Sequence, residues 1–305
     1  MTGRALVVGM GSIGKRHARL LRDLGLDVAA ITRHGNGEKR CYTALSDALE
    51  AEHPDYIVIA NETSAHRPTL LALAEADYSG TVLVEKPLFE RPAAPLAHRF
   101  AGFYVGYNLR FHPVLRELAR VLADEPAISV QAYAGQYLPD WRPGRDYRCT
   151  ASSSRDAGGG VLRDLSHELD TMIWLFGRCQ RVAALGGHFS DLAIDSDDVQ
   201  ALLLQFERCP VATVQLNYLD RQSGRDLVVN TRTRTIRADL LRGTLRIGAE
   251  ERRFSLEADA TYLAQHRAIL GNTPGAQCTA AEALAVVDLI AAAETAVAQG
   301  TWVTL

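Results

Sequence analysis

Residues 6–14 read LVVGMGSIG, an apolar run broken by glycines at positions 9, 11 and 14. The spacing is G-x-G-x-x-G, placed where a first strand would turn into a first helix. The three glycines serve separate purposes. Gly9 permits a tight turn, Gly11 lets the backbone approach a pyrophosphate, and Gly14 lets the helix lie close to the strand. The helix start then offers N–H groups and a partial positive charge to phosphates. Gly9, Gly11, Ser12, Ile13 and Gly14 are therefore candidate cofactor contacts. Three glycines alone would equally mark a structural turn. Context favours the ligand, because an apolar strand precedes them and KRHARLLRDL (15–24) follows with helical periodicity.

Outward from this motif the first third alternates strands and helices. Strands are expected over 5–9, 27–32, 56–60, 81–84 and 103–106, and helices over 13–24, 44–52 and 67–76. Short apolar strands separated by such helices call for a parallel, doubly wound sheet with right-handed crossovers. After about residue 125 the pattern turns β-rich and partly alternating, at 128–137, 199–206, 211–218, 226–230, 235–239 and 244–247. One helix is expected over 160–176 and another over 280–298. The expected architecture is an α/β Rossmann domain (1–123) followed by an α+β domain (124–305) with an open, mainly antiparallel sheet.

Composition narrows the function. The chain has 305 residues, 47% hydrophobic and 23% charged, with a formal net charge of −3. That balance gives no support for nucleic-acid binding, which needs a concentrated basic face. Five scattered cysteines (41, 149, 179, 209, 278) form no C-x-x-C pair, so neither a disulfide framework nor a metal site is expected. The amino end runs straight into a strand with no signal-peptide layout, and no 18-residue apolar stretch exists. A cytoplasmic protein with no membrane partner is the expectation.

Four segments carry chemistry. The second strand ends in Thr32-Arg33, without the acid that would hydrogen-bond a ribose 2′-OH. An arginine there suits a 2′-phosphate and favours NADP over NAD, although a solvated surface arginine would read the same. Asn61, Thr63 and His66 follow the strand YIVIA and should line the same crevice. Glu85-Lys86-Pro87 follows TVLV, so Lys86 stands at the carboxyl end of a parallel strand, where ligands bind. Its ammonium suits a hydroxyl that loses a proton while hydride leaves the same carbon, with Glu85 holding it in place. An ordinary surface pair would give the same spacing. Residues 158–170 read GGGVLRDLSHELD, where Asp164 and His167 are three apart and share a face of the expected helix. A carboxylate beside an imidazole suits acid–base work, while acids near a helix start also serve the dipole. The loop 137–148, YLPDWRPGRDYR, combines Trp141, Arg142 and further arginines and tyrosines. Aromatic faces with guanidinium forks suit an anionic or nucleotide-bearing sugar.

Taken in order, GMGSIG, VIANETSAH, VEKP, GYNLRFHP and GGGVLRDLSHELDTMIWL resemble the glucose–fructose oxidoreductase / inositol dehydrogenase (Gfo/Idh/MocA) family along essentially the whole chain. The resemblance implies oxidation or reduction of a sugar, cyclitol or nucleotide-sugar carbinol with NAD or NADP. It assigns Lys86 to the nicotinamide ribose and substrate hydroxyl, His167 to acid–base work, Asp164 to substrate binding, and Arg110, Trp141 and Arg142 to the nicotinamide or substrate. It also implies a homodimer or homotetramer, and the 137–148 loop resembles members that make surface-polysaccharide sugars. The three-residue step from Asp164 to His167 departs from the four-residue step of many members. Some relatives act as non-catalytic dinucleotide- or sugar-sensing regulators. Retention of Lys86, Asp164 and His167 speaks against that alternative.

Overall fold

In the computed structural model, residues 3–32, 40–273 and 275–305 are described. The chain divides into two units, Met1–Asn108 with Thr261–Leu284, and Leu109–Ala260 with Ala285–Leu305.

The first unit is a seven-stranded sheet. Its elements are β1 (Arg4–Val8), α1 (Ser12–Asp23), β2 (Asp27–Ile31), β3 (Cys41–Tyr42), α2 (Leu45–Glu52), β4 (Tyr56–Ile59), α3 (Thr63–Glu75), β5 (Thr81–Val84) and β6 (Gly102–Val105). A later segment adds α7 (Ala260–Leu270) and β15 (Cys278–Thr279). Strand order is β15-β6-β5-β4-β1-β2-β3, parallel except for β15 at the edge. Strands β4 and β1 are buried along almost their whole length, because a parallel sheet covered on both faces needs continuous apolar runs such as YIVI. Val7, Ala18, Leu21, Val28, Val58 and Ile269 pack together in the core. The connections reverse direction between β1 and β4, which makes the carboxyl ends of these strands the natural ligand crevice.

The second unit opens with α4 (Pro113–Asp124) and builds a nine-stranded sheet. Its strands are β7 (Ala127–Gly135), β8 (Cys179–Gly187), β9 (Val199–Phe206), β10 (Cys209–Asn217), β11 (Gly224–Thr231), β12 (Thr235–Asp239), β13 (Thr244–Ile247), β14 (Glu250–Arg253) and β16 (Val303–Thr304). The order is β14-β13-β12-β11-β7-β10-β9-β8-β16, antiparallel but for the β7–β10 pair. Burial alternates along β9 and β10, so one face is covered and the other is wet. Helices α5 (Val161–Asp164) and α6 (Ser166–Phe176) pack on the covered face, and α8 (Ala280–Gln299) precedes β16. The architecture is the expected one: a parallel Rossmann-type sheet, then a mostly antiparallel one.

One expectation needs correction. The single helix over 160–176 is two, separated at Leu165, whose φ of −97° and ψ of 27° leave the helical region. Asp164 and His167 therefore sit on separate pieces rather than on one helical face. The two pieces answer to different partners. Val161 N–H donates to the Asp197 carbonyl and Leu162 N–H to its carboxylate, which suspends α5 by its start. Helix α6, by contrast, is buried along nine of its eleven residues.

Candidate active site

In the first unit the glycine turn has the shape its spacing predicts. Gly9 has φ of +92°, and a methyl there would lie 2.6 Å from Asn61 N. A methyl on Gly14 would lie 1.9 Å from the Gly9 carbonyl oxygen, so helix and turn touch at this point. Gly11 differs, with nothing among the described residues within 4 Å of an added Cβ. The space over Gly11 is open where the first turn of α1 presents the N–H groups of Ser12, Ile13 and Gly14, and no acid occupies that turn. Asn61, just past β4, donates from Nδ2 to Thr69 Oγ1 at 3.0 Å, while its buried Oδ1 has no hydrogen-bond partner among the described residues. An open glycine backbone, a helix start and an orphaned acceptor at the switch point fit a dinucleotide. Thr32 follows directly on β2, its N–H donating to the Tyr42 carbonyl. Arg33, singled out for the 2′-phosphate, lies outside the described residues.

Lys86 is half-buried immediately after β5. Its backbone N–H donates to Glu85 Oε2 at 3.2 Å, and Glu85 Oε1 lies 2.8 Å from His17 Nε2. Burial pushes the Glu85 carboxyl up, but the hydrogen bond from His17, with the Lys86 charge, carries it net below its ordinary value. The turn beyond is held by His66, whose Nδ1 donates to the carbonyls of Pro87 and Leu88 at 3.1 and 3.2 Å. His66 is buried, and burial holds its pKa below the ordinary imidazole value. Thr63 opens α3, the helix that carries His66.

In the second unit Asp164 and Trp141 meet through Tyr218. The Tyr218 hydroxyl donates to Asp164 Oδ2 at 2.7 Å, and the Trp141 ring stands edge-on to the Tyr218 ring at 5.2 Å. Burial, reinforced by Asp164, pushes the Tyr218 phenol well up, so it stays a donor. His167 is half-buried at the start of α6, and Arg142 is exposed. Arg110 is not solvent-facing. Arg110 and Asp170 are each 1% exposed and form a two-pronged ion pair, Nη2 to Oδ1 at 2.7 Å and Nε to Oδ2 at 3.0 Å. Gly160, at φ of +114°, would drive a methyl to 2.1 Å from Asp197 Oδ1. The glycines of 158–160 thus include a close approach that lets Asp197 hold α5.

Tyr218, Asp197 and His17 escaped the sequence reading. The first two lie on or near strands far from the helix they hold. His17 had a signal: it falls on the buried face of α1 with Gly14, Ala18 and Leu21, where a polar residue needs a partner.

A family model described as "Oxidoreductase family, NAD-binding Rossmann fold" matches residues 4–97, and one described as "GFO/IDH/MocA C-terminal domain" matches residues 128–237. No curated protein sequence matches the chain significantly. Among solved structures, GenD2 from gentamicin A biosynthesis, in complex with NAD, is 23% identical with a TM-score of 0.82, covering 100% of this chain and 96% of its own. UDP-N-acetylglucosamine 3-dehydrogenase GnnA from Acidithiobacillus ferrooxidans is 21% identical with a TM-score of 0.77, covering 97% and 98%. Levoglucosan dehydrogenase, in complex with NADH, is 15% identical with a TM-score of 0.84, covering 100% and 99%. At these identities the structures speak for the fold, and the two family models speak for the lineage. The chain belongs to the Gfo/Idh/MocA family of oxidoreductases, and its first unit is an NAD-binding Rossmann fold.

Proposed function

We propose that this chain is an NAD(P)-dependent dehydrogenase or reductase acting on a ring carbinol or ketone of a sugar or nucleotide-sugar. The observation that carries the reading is Lys86, a half-buried lysine at the carboxyl end of β5 whose turn is gripped by Glu85 and His66. The dinucleotide supplies the hydride acceptor or donor when bound, held by the N–H groups over Gly11. Lys86 binds the substrate hydroxyl and steadies the oxygen as its proton leaves. His167 takes or returns that proton, and Asp164, fixed by Tyr218, binds a neighbouring hydroxyl. Trp141 and Arg142 offer a ring face and a cation to the sugar or its phosphates. Structural neighbours that act on UDP-N-acetylglucosamine and levoglucosan support the substrate class.

Thr32-Arg33, with no acid beside them, support NADP, although neighbours carry NAD and NADH. The exposed face of the second sheet supports a homodimer or homotetramer, since Leu185 is 78% and Val211 51% exposed there.

Calorimetric titration with NADH and NADPH, followed by turnover assays on sugars and nucleotide-sugars, tests the reading. Lys86→Ala should cut turnover by about a thousand-fold while dinucleotide affinity holds. Arg33→Asp should swing the NADPH-to-NADH affinity ratio toward NADH by about ten-fold. Unchanged turnover in Lys86→Ala, or binding of neither cofactor, would overturn it.

A further inference from the structure

Glu85 is the end of a buried chain of side chains that the chemistry above does not use. The Tyr56 hydroxyl lies 3.0 Å from His266 Nδ1, and His266 Nε2 lies 2.8 Å from His17 Nδ1. His17 Nε2 in turn lies 2.8 Å from Glu85 Oε1. The members come from β4, α7, α1 and the end of β5, all within the first unit. His17 and His266 are fully buried, and Tyr56 nearly so.

With both rings neutral, one proton assignment satisfies every member. An ionised Glu85 can only accept, so His17 donates from Nε2 and, as a neutral ring, accepts at Nδ1. His266 then donates from Nε2 and accepts the Tyr56 hydroxyl at Nδ1. All three donors point toward Glu85. Its second oxygen accepts the Lys86 backbone N–H at 3.2 Å. A methyl on Gly106 would lie 2.8 Å from Glu85 Oε1, so the absence of a side chain at 106 leaves room for the carboxylate here.

We propose that Tyr56, His266 and His17 are a positioning chain for Lys86, three hydrogen bonds passed from ring to ring that fix the Glu85 carboxylate against the Lys86 amide. The inference rests on the reading of Lys86 as the catalytic amine. The ionisable groups facing Glu85 are His17 from α1, Lys86 beside it, His66 from α3 and Tyr56 from β4, with His266 of α7 behind His17. Burial keeps the His266 imidazole well below its ordinary value, and keeps the Tyr56 phenol well above its own. Both directions agree with a neutral His266 that accepts from a protonated tyrosine. Without His17, burial would win at Glu85, and a protonated carboxyl would loosen its hold on the Lys86 turn.

The test is nuclear magnetic resonance of the full chain, labelled at histidine rings, glutamate carboxyls and backbone amides. Both histidines should show the Nε2–H tautomer in the resting protein. His17→Phe should raise the Glu85 midpoint by about one unit or more and move the Lys86 amide resonance. His17→Gln keeps a donor facing Glu85 and should return both toward the parent values. His266→Gln and Tyr56→Phe disturb the core less and should give smaller shifts, which covers the case of a His17→Phe that does not fold. An Nδ1–H tautomer at either histidine, or an unmoved Glu85 and Lys86 amide in the folded variants, overturns the chain. Turnover separates this inference from the reading beneath it. His17→Phe should lower kcat about ten-fold at unchanged NADH affinity. Full kcat in His17→Phe beside an inactive Lys86→Ala overturns the positioning chain alone, whereas an active Lys86→Ala overturns the role of Lys86 itself.

Discussion

Gly9, Gly11 and Gly14 lie within six residues of chain, yet an added methyl would meet different things at each. At Gly14 it strikes the Gly9 carbonyl oxygen at 1.9 Å, a backbone atom that cannot swing aside. Gly14→Ala should therefore destabilise the protein by about 1–3 kcal/mol, read as a lowered denaturant midpoint. At Gly11 the methyl meets nothing among the described residues, and φ of −67° there suits any residue. Gly11→Ala should leave the midpoint unchanged while weakening NADH by about ten-fold, because the methyl fills space a pyrophosphate needs. Equal stability losses in the two variants would make the Gly11 gap a structural accident. The motif's spacing was legible because each glycine answers a local backbone demand. The partners of Asp164 and Arg110 were not. Tyr218 and Asp170 reach them across 54 and 60 residues, and no periodicity encodes such a contact.

At the scale of elements, strands of four or five apolar residues and the helices between them were readable in the first unit because each answers to a buried parallel sheet. Helix α7 was harder. Its buried face includes Gln265 and His266, so polar residues interrupt the 3.6-residue apolar pattern. The break between α5 and α6 was also invisible, since residues 161–176 carry no proline or glycine to announce it. The cause is tertiary. Asp197 takes the N–H groups of Val161 and Leu162, and Tyr218 holds the Asp164 carboxylate. Asp197→Ala should thus cost about 1–2 kcal/mol and speed amide exchange across Val161–Asp164 more than in α6. Exchange that rises equally in both pieces would mean that they open as one helix.

At the scale of the whole molecule, the residues 261–284 return to the first unit after the second has been built. That return brings α7 and His266 to a core begun some 200 residues earlier, and composition along the chain gives no sign of it. Both units also share an electrostatic trait. His66 and His266 in the first and His112 in the second are all buried imidazoles held below their ordinary value, His112 at about 4. Burial is the leading cause in each case. His112 also accepts the Val114 N–H at Nδ1, and so caps α4 as a neutral ring. In the unfolded chain these imidazoles take up protons near pH 6.5, whereas the native His112 resists until about 4. The unfolded state therefore binds more protons throughout that window, and stability must fall as pH is lowered through it. Glu85 acts in the same direction further down, its depressed carboxyl losing its contribution as pH falls through the native value. Calorimetry should show the melting temperature dropping steadily from about pH 7 to pH 5, with the unfolding free energy falling by at most about 1.4 kcal/mol per pH unit for each proton. His112→Asn keeps an acceptor for Val114 but cannot protonate, so it should flatten the slope without lowering the neutral-pH value by more than about 1 kcal/mol. A flat profile in the parent, or an unchanged slope in His112→Asn, would mean that the buried imidazoles protonate in place and contribute nothing to acid sensitivity.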